Sequence, residues 1–283
     1  VGPALTGAAG RALASAYPAR RAFVTGGASG LGLAFATELA RAGFTLGLLD
    51  RHAAPLAAAA EALRGAGAAR VLTHVADVTD EPAFAAAVES FAAAAGGLDL
   101  MINNAGVAVA GTVEEIPLAD WRWALEINVL GVVTGCRAVL PLFRRQGAGM
   151  IVNVASAAGF ASSPRLSAYN ASKAAVVSLT ETLVQEFHGT RLRAVVAMPG
   201  FFPTRLLEEA RAPADALGVA RKLMTGSRYT AERAAADILA AAAAGAVHVV
   251  VPPPYRTLWR LKRLAPRWFL GWLPTRRPPA RRR

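Results

Sequence analysis

From residue 21 onward, short apolar runs alternate with longer stretches of helical composition. The runs are Ala22–Thr25, Thr45–Leu49, Val71–Val75, Leu98–Ile102, Met150–Val154, Arg193–Ala197 and Val247–Val251. A strand with one wet face alternates apolar and polar residues, whereas a strand covered on both faces reads as a continuous apolar run. Most of these runs are continuous, so they predict strands buried on both sides of a parallel sheet. Between them, Gly32–Ala42, Pro82–Ala95 and Ala168–Phe187 are long enough for crossover helices. The pattern predicts an α/β fold, a doubly wound and mostly parallel sheet with helices on both faces.

Two regions break the rhythm. Pro203–Ser227 carries charges and scattered Pro and Gly, which predicts a mobile flap after the sixth strand. After the seventh, Pro252-Pro253-Pro254 reads as a stiff spacer closing the domain. The nearly apolar stretch Ala234–Val251 is barely long enough to span a bilayer and contains Asp237, so it is read as an alanine-rich helix followed by a strand. The chain divides into an N-terminal extension (1–20), one globular domain (21–251) and a tail (252–283).

The 283 residues are 54% hydrophobic and 18% charged, a balance that excludes a disordered chain. The single cysteine, Cys136, excludes an internal disulfide framework and fits a reducing compartment. No charged start followed by an apolar block marks residues 1–20 as a secretory signal, and a cytoplasmic protein is expected. The net charge of +12 is unevenly spread: residues 252–283 hold ten basic and no acidic residues, leaving 21 basic against 19 acidic before them. A near-neutral body with a basic tail is not the spread basic face of a nucleic-acid-binding domain.

The first strand runs into Thr25-Gly26-Gly27-Ala28-Ser29-Gly30-Leu31-Gly32 and then a helix. A glycine turn there lets backbone N–H groups and the helix N-terminus approach a pyrophosphate. Gly26 would form the tight turn, Gly30 the close approach and Gly32 the tight helix packing. Asp50 ends the second strand, where an acid would hold the adenosine ribose hydroxyls and repel a 2′-phosphate. Ala28 and Ser29 bring no basic residue to the turn. NAD is therefore favoured, although Arg51 leaves NADP open. Asp77-Val78 and Asn103-Asn104-Ala105-Gly106 follow the third and fourth strands, at the sheet edge where such folds bind ligands. Asp77 would face the adenine amino group and Val78 its ring, while Asn103 is read as a tie between neighbouring strands. No metal site is expected.

Ser156 follows the fifth strand, and Tyr169 and Lys173 lie four residues apart, on one face of a helix. A phenol with an ordinary pKa of ~10 is a poor base at neutral pH, and a nearby ammonium lowers that value. Ser156 would polarise a substrate oxygen and Tyr169 would exchange a proton with it as hydride moves to or from a nicotinamide.

With these residues in place, the chain resembles the short-chain dehydrogenase/reductase family. The resemblance rests on TGGASGLG at 25–32, DV at 77–78, NNAG at 103–106, Asn128 in NVLG, Ser156, YNASK at 169–173 and PG at 199–200, and covers roughly residues 20–251. It implies a Rossmann-type NAD(P)-dependent oxidoreductase. It further implies that Asn128 holds a water joining Lys173 to solvent and that Lys173 binds the nicotinamide ribose. Pro199 and Gly200 would shape the nicotinamide pocket, and Thr204 would meet the carboxamide. A homodimer or tetramer is implied as well. Ala155 stands where many relatives have a second serine.

The loops Ser156–Leu166 and Val107–Ile116 and the flap carry Phe160, Phe201, Phe202, Leu206 and Leu207, which predicts a hydrophobic alcohol or carbonyl substrate. The alternative is a dinucleotide-binding sensor or membrane-surface scaffold without catalysis. In the tail, Arg256, Arg260, Arg263 and Arg267 form one helical stripe, with Leu258, Leu261, Ala265, Trp268 and Trp272 broadly opposite and a break expected at Pro266. Such a segment suits contact of 255–273 with an anionic membrane surface; docking on the body or a partner subunit is the rival, and nucleic acid the least favoured.

Overall fold

A computed structural model describes residues 7–203, 205–213 and 226–272. Strands β1 (Arg21–Thr25), β2 (Thr45–Asp50), β3 (Arg70–Val75), β4 (Leu100–Asn103), β5 (Gly149–Val154), β6 (Leu192–Pro199) and β7 (His248–Val251) form one sheet. Their order is β3-β2-β1-β4-β5-β6-β7, and every neighbouring pair is parallel. The chain steps outward from β1 to β3, then returns to pair β4 with β1. That reversal opens a crevice at the carboxyl ends of β1 and β4, the place where doubly wound sheets bind ligands.

The continuous apolar runs become strands with an apolar side chain on each face. Ala22 and Val24 pack on one side with helices α1 (Ala8–Ala16), α2 (Gly30–Ala40), α3 (Ala53–Gly65) and α9 (Ala231–Ala243). Phe23 points the other way, into the layer formed by α4 (Glu81–Ala95), α6 (Gly131–Gln146) and α8 (Ser167–Glu186). The same alternation holds in β5, where Met150 and Val152 face one layer and Ile151 the other. Fully buried rings such as Phe23, Phe84 and Phe91 each contribute about 1.5–3 kcal/mol by leaving water.

Local signals fix the element ends. The Asp80 carboxylate accepts from the Ala83 N–H, Pro82 sits in the first turn of α4, and Gly96 ends the helix in the left-handed region. α5 (Leu118–Leu125) continues into α6 through a π turn, Glu126–Leu130. This run, Leu118–Gln146, is long and apolar enough to cross a membrane by length and composition; here it packs against α4, α8 and β4.

The structure revises two readings. Residues 8–16 of the N-terminal extension belong to the globular body: α1 packs on α9 and α2, with Leu13 fully buried and the Ala9 N–H bonded to Glu38 of α2. Nor do the prolines after β7 form a spacer. Pro253 and Pro254 start helix α10 (Pro253–Leu264), because a first-turn proline has no N–H to lose. A short helix, α11 (Pro266–Trp272), follows after the expected break.

Candidate active site

A cleft of about 680 Å³ runs along the carboxyl ends of the central strands, within the range usual for small-molecule sites. At one end β1 turns into α2. Gly26 takes φ +63°, in the left-handed region, and a Cβ on Gly32 would sit 2.0 Å from the Gly26 carbonyl oxygen. Only glycines let the turn fold back on the helix. Thr25 and Asn104 brace it. The Thr25 hydroxyl accepts from the N–H groups of Asn104 and Ala105, both at 3.0 Å, and the Asn104 amide donates to the Thr25 carbonyl at 2.9 Å. Ser29, Gly30 and Leu31 line the cleft at the N-terminus of α2, and no side chain caps that end. An uncapped helix start in a glycine cradle fits a pyrophosphate.

Asp50 closes this end. Its carboxylate accepts from the Ala28 N–H at 3.2 Å and from the His52 N–H at 3.1 Å. Asp77 binds the Thr79 N–H and hydroxyl and lies 3.9 Å from Arg51, while Val78 is buried against Gly131. Arg51 also pairs with Glu209, which reaches across the cleft from the segment after β6 and contacts His52 at 3.3 Å. Glu209 went unremarked in the sequence. Arg211 secures the same segment: its backbone pairs with the 108–110 loop, and its side chain meets Asp120 at 2.8 Å and stacks 3.9 Å over Trp123.

The other end of the cleft brings Ser156, Tyr169 and Lys173 together. The Ser156 hydroxyl, just past β5, donates to the Pro199 carbonyl at 3.3 Å, accepts from the Ala158 N–H at 3.2 Å and is hydrogen-bonded to the Tyr169 phenol. Burial raises the phenol's pKa, and the bond from Ser156 opposes that. The Lys173 ammonium lies 5.9 Å from the Tyr169 ring centre and donates to the Val154 carbonyl at 3.0 Å. Burial lowers its pKa to about 8. This arrangement differs from the expectation that the ammonium pulls the phenol down: burial raises the phenol's pKa, and the group that lowers it is Ser156.

Asn128 sits, fully buried, in the π turn, where a widened ring sets its side chain off the regular helical face. Its carbonyl oxygen accepts from the Val107 N–H at 2.8 Å; its amide donates to the Val107 carbonyl and to the Ser172 hydroxyl, both at 3.0 Å. Ser172 in turn donates to the Tyr169 carbonyl at 2.9 Å. A Cβ on Gly106 would lie 3.0 Å from the Asn128 oxygen and 3.3 Å from the Lys173 nitrogen. Asn128 and Lys173 thus face one point, and the absence of a side chain at 106 keeps it open.

Asn103 ties strands, as expected, donating to Asn153 at 2.9 Å. Pro199 and Gly200 line the cleft, and Gly200 lies flat beneath the ring of Tyr255, where a Cβ would come within 2.7 Å. Tyr255, assigned to the tail from sequence, is therefore a wall of the site. Phe201, Phe202, Leu206 and Leu207 line the cleft, but Phe160 does not: its ring is turned into the core beside α8. Thr204 lies outside the described residues, as do 214–225 of the expected flap.

The family model described as short chain dehydrogenase matches residues 20–215. The chain belongs to the short-chain dehydrogenase/reductase family. A 2-(R)-hydroxypropyl-CoM dehydrogenase of Xanthobacter autotrophicus is 39% identical over 196 residues, 67% of this chain and 77% of the relative. The levodione reductase of Leifsonia aquatica is 38% identical over 200 residues, covering 69% and 74%. A short-chain dehydrogenase/reductase from Burkholderia phymatum in complex with NAD superposes with a TM-score of 0.81 at 32% identity, covering 86% of this chain and 92% of that one. This family member is thus an oxidoreductase with the seven-stranded Rossmann-type fold of its relatives.

Proposed function

We propose that this short-chain dehydrogenase/reductase interconverts an apolar secondary alcohol and its ketone, or an alcohol and an aldehyde, using NAD(H). The observation that carries the reading is the meeting of Ser156, Tyr169 and Lys173 at one end of a cleft whose other end is the glycine turn and Asp50. When bound, the nicotinamide supplies or accepts the hydride. Ser156 holds the substrate oxygen beside the phenol, and Tyr169 gives a proton to a carbonyl oxygen or takes one from a hydroxyl. With a pKa near 8, Lys173 gains and loses a proton readily at neutral pH. Through the point it shares with Asn128, the proton leaving or reaching Tyr169 is exchanged with solvent.

The preference for NAD is supported by the charges around the adenosine end. Asp50 would repel a 2′-phosphate, and the Arg51 guanidinium that would attract one is already held by Glu209 and lies near Asp77. An apolar substrate is supported by Phe201, Phe202, Leu206, Leu207 and Tyr255 along the wall. A homo-oligomer is supported by Leu118, Leu125 and Leu130, which stand exposed along the run from α5 into α6; light scattering on Leu130→Glu, expected to reduce the oligomer, checks it.

An NADH- and NADPH-coupled screen over ketones and aldehydes of graded hydrophobicity tests the reading. Turnover should rise with apolar surface and favour NADH. A protein that binds NADH but turns over no carbonyl or alcohol would instead be a sensor.

A further inference from the structure

We propose that α10 and α11 dock the protein on an anionic phospholipid surface. The sequence reading placed a whole amphipathic segment there, but the structure divides it. The first part of the apolar face of α10 is occupied by the protein itself. Tyr255 lies on Gly200, Leu258 and Trp259 pack on the core, and the Trp259 ring sits 5.2 Å from that of His248 in β7. α11 is anchored by Phe269, which is 1% exposed and lies beneath the Lys262 ammonium.

What stays uncovered lies on α11 and at the end of α10. Leu264 is 85% exposed, Trp268 56%, Leu270 49% and Trp272 54%, and the two indoles stack at 5.9 Å. A stacked pair of exposed indoles, with two more exposed leucines on the same two helices, marks an interaction site. The same two helices carry Arg260, Lys262, Arg263 and Arg267, with Arg263 over the Trp259 ring and Lys262 over that of Phe269, and residues 252–283 contain no acid at all. Among the described residues, Glu181 lies 3.8 Å from Arg263.

The charge selects the occupant. A second copy meeting this face about a two-fold axis would set arginines against arginines. A phosphate-rich surface meets each of them with opposite charge, while indole and leucine side chains enter at headgroup depth. The arms of Arg260 and Arg267 are long enough to reach phosphates while the rings insert. Because α10 also carries Tyr255 in the cleft wall, docking sets the active site beside a bilayer in which an apolar alcohol or ketone concentrates. That last link rests on the proposed substrate class; the docking itself does not.

The test is co-sedimentation of the full chain with vesicles of phosphatidylcholine, with and without phosphatidylglycerol. Binding to the anionic vesicles should exceed binding to neutral ones by about tenfold, fall with added salt and shift tryptophan emission to the blue. Two triple variants should each lose about tenfold in partitioning: Leu264→Ser with Trp268→Ser and Trp272→Ser, and Arg260→Gln with Arg263→Gln and Arg267→Gln. Both should keep turnover of a water-soluble carbonyl, which shows that they fold. Tyr169→Phe should bind vesicles like the unaltered chain, so a failed catalytic reading and a failed docking reading give different results. Equal partitioning with neutral and anionic vesicles overturns the proposal, as does binding unchanged in both triple variants. Loss of a dimer rather than of vesicle binding in the first variant also overturns it, in favour of a second copy.

Discussion

The two ends of the cleft solve opposite problems. At the glycine-turn end, Asp50, Arg51, Asp77 and Glu209 are partly exposed, and the ion pairs of Arg51 bridge elements that meet at the surface. At the end formed by Ser156, Tyr169 and Lys173, Lys173 is buried among Val154, Tyr169 and Gly106, and its ammonium donates to a backbone carbonyl. Exposed pairs are screened and contribute little each, so they suit selection between two similar cofactors. Burial, by contrast, shifts an ionisation by whole pKa units, so it suits proton transfer. Substitutions should therefore have large effects at one end and modest ones at the other.

The largest effect is expected at the phenol. Tyr169→Phe should lower kcat by about 10³-fold, the scale of a lost general acid or base, with the Kd for NADH nearly unchanged by fluorescence titration; undiminished turnover would refute the assignment. Next comes Lys173→Met, which should cost about 10²-fold in kcat and also change stability. Lys173 releases its proton near pH 8 in the fold against an ordinary 10.5. Between those values the unfolded chain holds more protons, so stability rises with pH across the window by about 3 kcal/mol in total. Thermal unfolding of Lys173→Met from pH 7.5 to 10.5 should lack that rise.

Ser172→Ala removes the hydroxyl between Asn128 and the Tyr169 carbonyl. It should lower kcat several-fold with little change in KM, because it loosens the positioning of Asn128 without touching substrate; an unchanged pH–kcat profile would count against that role. The smallest effect is expected at the glycine-turn end. Glu209→Gln frees Arg51 and should shift the NADP-to-NAD ratio of kcat/KM about tenfold towards NADP at low salt, a gain that fades as ionic strength rises. An unmoved ratio would mean that Asp50 alone decides.

How much of this was legible follows from the range of the interactions. Strands buried on both faces announce themselves as apolar runs, so each of the seven lies within two or three residues of its expected bounds. The glycine turn is legible because backbone geometry demands glycine at Gly26 and Gly32. Ser156, Tyr169 and Lys173 could be named from local spacing plus the order of strands. Tyr255 could not, since nothing near it in sequence shows that α10 folds back over Gly200. The Arg51–Glu209 pair joins residues far apart in sequence, and a surface glutamate carries no signature. Phe160 was misplaced because a phenylalanine in a loop reads the same whether it lines a cleft or fills the core. The direction of the phenol's shift was misread because spacing reveals a neighbouring charge but not the loss of water around both groups.

The π turn at Glu126–Leu130 has a consequence for chains with altered length. A widened turn takes up one surplus residue, so the helical faces before and after it keep their bearings on the sheet. Removing a single residue there would restore an ordinary helix and leave the packing of Gly131 and Gly135 intact, yet it would withdraw Asn128 from Val107 and Ser172. Such a shortened chain is expected to turn over poorly and to melt below its parent, because the Val107 backbone and the Ser172 hydroxyl lose their buried partner.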